Sequence, residues 1–242
     1  MSKKPQAKPA LRTRNVDLLA GLISYIRNNA DNAGMGCFYG PTGYGKSRAV
    51  SGCSGTHQTY YVEMRSIWTR KYLLEMILQQ MTIEPARTAP AMLSQVGAQL
   101  RFSGRPLVID EADFAVRKGM IELLRDIYEA SQGIVILIGE ENMPAHLEQV
   151  ERVHGRMCEW VAAQPVSLED AKLYAGAYCG GVAVGDCLLE RIMEAARGSA
   201  RYVCRNLERV AEFARLNSLD ALDAKAYTGT LFTGQAPKRR PL

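Results

Sequence analysis

Gly40, Gly45, Lys46 and Ser47 stand in the stretch GPTGYGKS at the spacing of a phosphate-cradling loop, GxxxxGK followed by Ser or Thr. Small residues let successive backbone N–H groups point inward and form a concave nest for phosphate oxygens. A helix beginning at Lys46 adds the partial positive charge of its N-terminus. The Lys46 ammonium would reach the β- and γ-phosphates of a nucleoside triphosphate, and the Ser47 hydroxyl would ligate Mg²⁺. The nucleotide-contacting stretch is then Gly40, Pro41, Thr42, Gly43, Tyr44, Gly45, Lys46, Ser47 and Arg48, with no evident reason for the ring of Tyr44.

A pair of carboxylates, Asp110-Glu111, closes the apolar run Leu107-Val-Ile109. A carboxylate at the tip of a buried strand can hold the Mg²⁺ shell, here Asp110. The adjacent Glu111 is placed to polarise a water for in-line attack on the γ-phosphate. Kinases of small molecules often lack this second carboxylate, so the pair favours hydrolysis.

These residues need strands that end beside one another. Apolar runs Met35–Tyr39, Thr59–Met64, Pro106–Ile109 and Ile134–Ile138 read as strands, the last apolar on both faces as in a buried parallel sheet. Between them, helical spacing covers Asn15–Asn29, Lys46 to about Gly52, Trp68–Gln80, Ala91–Phe102 and Met120–Ala130. Trp68 and Tyr72 read as core side chains. Alternating strands and helices imply an α/β fold, an open parallel sheet flanked by helices with right-handed crossovers. Past Pro165 the strand signal ends: Ser167-Leu-Glu-Asp170 resembles a capping box, and helices are expected over Leu168–Tyr178, Asp186–Arg197 and Ala200–Leu216. The organisation is therefore a basic flexible tail over residues 1–14, a nucleotide-binding domain over 15–164, a small all-helical lid over 165–230 and a second basic tail over 231–242.

With 242 residues and 47% hydrophobic content, the chain can bury a real core. Its six cysteines are scattered, with no CxxC pair and no histidine at ligand spacing, which argues against a disulfide framework or zinc site. No apolar run approaches the roughly 20 residues of a membrane helix, and the start MSKKPQAKPA lacks a signal-peptide core, so a soluble cytoplasmic protein is expected. The net charge of +5 gathers at the tips, on Lys3, Lys4, Lys8, Arg12 and Arg14 and on Lys238, Arg239 and Arg240, a distribution that suits contact with a polyanion.

GPTGYGKS, LVIDEAD, the strand IVILIG and the later GSAR together resemble an AAA+ ATPase over roughly Arg12 to Leu216. The resemblance implies an αβα P-loop domain with a helical lid, ATP and Mg²⁺ as cofactors, and ATP held between subunits of a ring or helical filament. It also implies that Arg201 of Gly198-Ser-Ala-Arg201 contacts the γ-phosphate from the lid. Arg152 and Arg156, in VERVHGRM, stand where such proteins carry an arginine finger, and Arg156 is preferred because GRM takes the place of a QRI segment. The chain departs from the pattern at the first sensor. The family offers Asn, Thr or Ser directly after the fourth strand, whereas here Gly139-Glu140-Glu141-Asn142 follows. Glu140 has the right place and an unusual charge, and Asn142 has the right chemistry but lies late.

Within that family, the short opening LRTRNVDLLAGLISYI, the DEAD-like turn and the compact C-terminal part are most similar to transposition ATPases, the Mu-like phage B protein, TnsC and IstB type. This resemblance implies assembly on double-stranded DNA with ATP in a bacterial or phage-infected cell, target selection, and activation of a DDE-type transposase that in turn stimulates slow hydrolysis. By the same resemblance, Arg65, Arg70 and Lys71 after the second strand, and Arg117 and Lys118 after the DEAD-like turn, face DNA phosphates. Such contacts position without reading bases. A helicase loader or replication-initiator ATPase, a nucleotide-gated interaction module with negligible turnover, and more remotely a small-molecule kinase are the alternatives.

Overall fold

The computed structural model describes residues 11–29 and 34–235, apart from the side chains of residues 54–56. Lys3, Lys4, Lys8, Lys238, Arg239 and Arg240 lie outside the described residues. The described chain divides into two compact units: residues 15–41 and 46–163 form one, and residues 11–14, 42–45 and 164–235 form the other.

In the larger unit, strands β1 (Met35–Tyr39), β2 (Tyr60–Glu63), β3 (Leu107–Asp110), β4 (Val135–Gly139) and β5 (Met157–Ala162) make one parallel sheet in the order β2-β3-β4-β1-β5. The central strands β3 and β4 are buried throughout, as their unbroken apolar runs require, while the edge strand β5 is half-buried along its length. β5 lies in a stretch with no clear strand signal, because Met157-Cys-Glu-Trp-Val-Ala162 neither alternates nor runs apolar. Pairing with β1 makes it a strand in spite of that pattern.

Helices connect these strands: α1 (Arg14–Asn28) before β1, α2 (Lys46–His57) after it, then α3 (Arg70–Gln80) and α4 (Ala89–Ser103) between β2 and β3. α5 (Asp113–Arg117) and α6 (Ile121–Ser131) follow β3, and the short α7 (Met143–Glu148) and α8 (Glu151–His154) follow β4. α2 runs on to His57, beyond the expected stop near Gly52, since the sheet side of the helix buries Ala49, Val50 and Cys53. Leu73, Leu74, Ile77 and Leu78 of α3, Met92, Val96 and Leu100 of α4, and Leu124 and Ile127 of α6 bury against the sheet in one core. Trp68 belongs to that core, but Tyr72 is 44% exposed and corrects the expectation of a core side chain. Thr69 caps α3 by accepting from the Tyr72 N–H, which puts Tyr72 in the open first turn with its ring edge-on to Trp68 at 5.2 Å.

The smaller unit packs α9 (Leu168–Tyr178), α10 (Asp186–Ala196) and α11 (Ala200–Leu216) around Leu188, Leu189, Ile192, Val203, Leu207 and Val210. Ser167 and Asp170 form the expected capping box, with both reciprocal bonds made. This part is not all-helical: β6 (Ala183–Val184) and β7 (Ala221–Leu222) pair in parallel, bringing the chain after α11 back beside the turn before α10. Two-residue strands carry too little pattern to read.

Candidate functional site: a phosphate loop facing an acidic strand end

The loop from Gly40 to Ser47 joins β1 to α2 and takes the backbone its glycines allow. Gly43 and Gly45 have φ of 92° and 88°, conformations that a side chain would strain. Lys46 opens α2 and turns its ammonium back along the loop, donating to the carbonyls of Gly40 at 2.6 Å and Pro41 at 3.0 Å. Partial burial lowers the Lys46 pKa, against the pull of Asp110, Glu111, Asp113 and Glu140, which raise it. One lysine thus stands among four carboxylates, a surplus of negative charge at the end of the sheet.

The strand register builds that surplus. β2 pairs with β3 so that Glu63 stands opposite Asp110 and Tyr61 opposite Val108. Asp110 is buried, and both of its oxygens are held: Oδ1 accepts the Glu111 N–H at 2.9 Å and Oδ2 accepts the Tyr61 hydroxyl at 2.7 Å. The Tyr61 hydroxyl is also hydrogen-bonded to Ser47, while burial and Asp110 push its pKa far up. One phenol therefore joins the loop hydroxyl to the strand-end carboxylate. Glu111 sits at φ 52°, a left-handed position that costs a non-glycine residue on the order of 1 kcal/mol and is characteristic of functional turns. Its side chain is exposed, yet partial desolvation raises its pKa, helped by Asp110 and Asp113 and opposed by Lys46.

Asp113 and Tyr61 belong to this cluster and were not singled out from the sequence. Asp113 is the last letter of the quoted LVIDEAD, and Tyr61 lies two residues before Glu63, the β2 residue that the sheet sets against Asp110. Asp113 is buried, and its Oδ2 accepts the Glu140 main-chain N–H at 2.8 Å. The Glu140 side chain turns outward to the Arg117 guanidinium at 3.5 Å, and Asn142 is an exposed residue at the N-cap of α7 with no side-chain cap bond.

The tip of the loop, Thr42–Gly45, is held by the smaller unit. The Gly43 carbonyl accepts the Arg201 N–H at 3.2 Å and the Ser199 hydroxyl at 3.4 Å. Tyr44 closes on Gly198, where an added Cβ would lie 3.0 Å from the Tyr44 hydroxyl oxygen. That contact supplies the reason for a ring at position 44 that the sequence lacks. The Arg201 side chain is exposed.

The other expected residues fall into two groups. Arg65, Arg70, Lys71, Arg117 and Lys118 come from two segments that the fold joins: Arg70 Nη2 donates to the Gly119 carbonyl at 2.7 Å and Lys118 Nζ to the Trp68 carbonyl at 3.1 Å. All five are exposed, and Ile67 stands among them at 83% exposure. Arg152, on α8, and Arg156, before β5, are both exposed; Arg156 pairs with Glu129 of its own chain, and Arg152 makes no ion pair among the described residues.

No group of three His, Cys, Asp or Glu among the described residues is arranged to hold a metal by itself. A Mg²⁺ that accompanies a nucleotide needs only one or two protein oxygens together with substrate phosphates. Ser47 and Asp110, sharing one phenol, fit such a cation, as does the carboxylate surplus around Lys46. No helix among the described residues is long and apolar enough to cross a membrane.

The family model described as an AAA domain matches residues 28–147. Among solved structures, the chain is similar to the ORC2 protein of Aeropyrum pernix in ADPNP and ADP complexes (TM-score 0.70, 15% identity, 93% of this chain and 68% of that one). It is also similar to the ORC1 protein of Aeropyrum pernix in complex with DNA (TM-score 0.63, 17% identity, 92% and 65%) and to a Walker-type ATPase of Pyrococcus abyssi (0.63, 16%, 90% and 72%). At these identities the likeness is one of fold, and the chain spans about two thirds of the length of these proteins. No curated protein sequence matches it. With a parallel five-stranded sheet, a phosphate loop after β1 and an acid pair at the end of β3, the chain has the α/β fold of a P-loop AAA+ ATPase, with the AAA domain matched over residues 28–147.

Proposed function

We propose that the protein is an ATPase that binds double-stranded DNA in an ATP-dependent, sequence-tolerant manner and assembles with copies of itself on the duplex. We further propose that it serves DNA transposition, selecting a target and activating a DDE-type transposase. One observation carries the reading: the larger unit gathers four carboxylates around Lys46 and, on an exposed surface that meets this cluster only where Arg117 reaches Glu140 among the described residues, five cations from two joined segments. The first arrangement suits a magnesium nucleotide and the second a phosphate backbone.

In this reading, residues Gly40 to Arg48 hold the nucleotide, with Lys46 on its β- and γ-phosphates. Ser47 and Asp110 hold Mg²⁺, which when bound neutralises charge on the transferring phosphoryl group. Glu111 takes a proton from the attacking water, and Tyr61 keeps the Asp110 carboxylate aimed. Arg201 meets the γ-phosphate, and Arg152 or Arg156 of a neighbouring copy completes the site, an arginine fork being suited to that charge. The bridge from Arg156 to Glu129 is exposed and therefore worth at most about 1 kcal/mol, too little to keep Arg156 from that role. Arg65, Arg70, Lys71, Arg117 and Lys118 contact DNA phosphates.

A replication-initiator or helicase-loader ATPase is the second reading, favoured by the likeness to the ORC proteins of Aeropyrum pernix. A nucleotide-gated module with little turnover draws support from Glu140 standing after β4, where its charge faces outward to Arg117. Co-sedimentation with duplex DNA and electron microscopy, with and without ATP and Mg²⁺, test the first reading. Assembly on DNA only with ATP is expected, with log affinity falling against log salt by about 0.9 per phosphate neutralised. DNA binding indifferent to nucleotide would overturn it. Hydrolysis stimulated by a transposase, and not by a replicative helicase, separates the first reading from the second.

A further inference from the structure

The chain from Thr228 to Gln235 has no regular secondary structure, yet it is held as a binding cleft holds a peptide. Asn206 of α11 is fully buried and spends its whole amide on one residue: Oδ1 accepts the Phe232 N–H at 2.7 Å and Nδ2 donates to the Phe232 carbonyl at 3.0 Å. The Phe232 ring stands edge-on to Tyr202 at 5.2 Å, with the Arg205 guanidinium 4.1 Å and the Arg209 guanidinium 5.5 Å from its centre. Arg209 also donates to the Thr230 carbonyl at 3.1 Å. Gly234, at φ 81°, passes so close that a Cβ would lie 2.6 Å from the Tyr202 ring. Tyr202, Arg205, Asn206 and Arg209 are spaced i, i+3, i+4 and i+7, so the seat is one face of one helix.

That face continues into the first turn of α11. The Tyr202 N–H donates to the Ser199 hydroxyl oxygen, which caps the helix. Ser199 and Arg201 in turn hold the Gly43 carbonyl of the phosphate loop. An unbroken series of contacts thus leads from Phe232 through Tyr202 and Ser199 to Gly43. Leu231 also packs against the core of the smaller unit, and ordering six residues of coil costs conformational entropy that offsets part of what these contacts contribute, so local opening of the segment is the motion to test.

We propose that residues 230–235 are a detachable latch whose seating on Tyr202, Arg205, Asn206 and Arg209 positions the first turn of α11 and, through it, the tip of the phosphate loop. Phe232 and Asn206 are positioning residues for nucleotide binding in this sense, and the inference rests on the reading that the loop holds a nucleotide. The seat recognises an extended strand bearing a phenylalanine, so a peptide of that chemistry can replace the chain's own segment.

The full-length Phe232→Ala variant tests this by hydrogen exchange and by titration with a fluorescent ATP analogue. Exchange at the Arg201 amide, whose N–H is spent on Gly43, is expected to quicken about tenfold, with nucleotide affinity weakened several-fold. A peptide of residues 228–235 added in trans is expected to restore both, and the same peptide with Phe232→Ala to restore neither. Gly234→Val releases the segment from the Tyr202 side without touching α11 and should act in the same way. If residues 230–235 exchange freely while the Arg201 amide stays protected, the latch is refuted. A wild-type chain that binds no nucleotide would refute the nucleotide reading instead, and the Arg201 amide would still decide the latch.

Discussion

The acidic cluster around Lys46 and the basic surface formed by residues 65–71 and 117–119 differ in burial: the first is built on the buried Asp110 and Asp113 with a half-buried Lys46, while the five cations of the second are all exposed. Around Lys46 the charges are partly withdrawn from water, and each alters the others: Lys46 is lowered by desolvation, and Glu111 is raised by desolvation and by Asp110 and Asp113. On the basic surface the cations are exposed, and Arg70 and Lys118 spend hydrogen bonds on main-chain carbonyls while Arg117 reaches Glu140. Buried charges act as a coupled set sensitive to pH, whereas exposed charges act one by one and are sensitive to salt. A pocket of the first kind suits bond chemistry, and a surface of the second kind suits sequence-tolerant contact with a polyanion.

The comparison breaks most readily at Lys46. Lys46→Ala removes the half-buried cation that stands among four carboxylates, and it should weaken ATP binding by at least about 100-fold in a fluorescent-nucleotide titration, since charge-assisted contacts to phosphate are the strong ones. The fold should survive, because the variant also relieves a partly buried charge. Affinity within a few-fold of wild type would mean that the carboxylate pocket is structural and holds no phosphate.

Glu111→Gln is the next largest test. It keeps the shape of the turn at φ 52° and removes the base, so the hydrolysis rate should fall by about 10² to 10⁴ while ATP affinity stays within a few-fold. An unchanged single-turnover rate would sink the role assigned to Glu111. Assemblies on DNA should persist longer in this variant, since the step that dissolves them is slowed.

The raised Glu111 makes a smaller, directional prediction. Its base form appears only as pH climbs through a value above that of an ordinary carboxylate, so the acid limb of the pH–rate profile should lie correspondingly high. Asp113→Asn keeps an acceptor for the Glu140 N–H but removes one of the charges raising Glu111, and it should move that limb to lower pH. For stability the sign is opposite: the Glu111 contribution is fully present below the ordinary carboxylate value and is lost as pH rises through the raised folded value. Lys46 mirrors it at the alkaline end, where the native state binds fewer protons and stability rises with pH up to the ordinary lysine value. A limb that stays in place in Asp113→Asn would show that the two carboxylates do not feel one another.

How much of this was legible differs between the same two regions. The loop, the acid pair, the strands β1 to β4 and the capping box at Ser167 could be read because each is a local pattern: glycines for a nest, apolar or β-forming runs for strands, and a hydroxyl three residues before a carboxylate. Tyr61 could not be read, because its role depends on β2 pairing with β3 in one register, which no local spacing encodes. β5 and the β6–β7 pair were hidden for the same reason, being strands by virtue of partners far away in sequence. Tyr72 was misread because an aromatic at helical spacing is usually core, whereas here it falls in an open first turn. The contact of Tyr44 with Gly198 joins residues more than half the chain apart, and only folding brings them together.

The smallest effects are expected on the basic surface, and they test its side of the comparison most directly. Each of Arg65→Ala, Lys71→Ala and Arg117→Ala should lower DNA affinity only modestly and reduce the salt slope by about 1, with separated pairs nearly additive. Lys118→Ala should depart from that series. Its ammonium also holds the Trp68 carbonyl, so the loop that carries Arg65 and Ile67 loses a tie, and the loss of affinity should exceed what one phosphate contact explains. Raising the salt separates the two parts: the share due to phosphate fades with ionic strength, while the share due to a loosened loop persists. If Lys118→Ala instead follows the others at every salt concentration, the bond to Trp68 contributes nothing to DNA contact. The basic surface is then a set of independent charges, and only the pocket around Lys46 is organised.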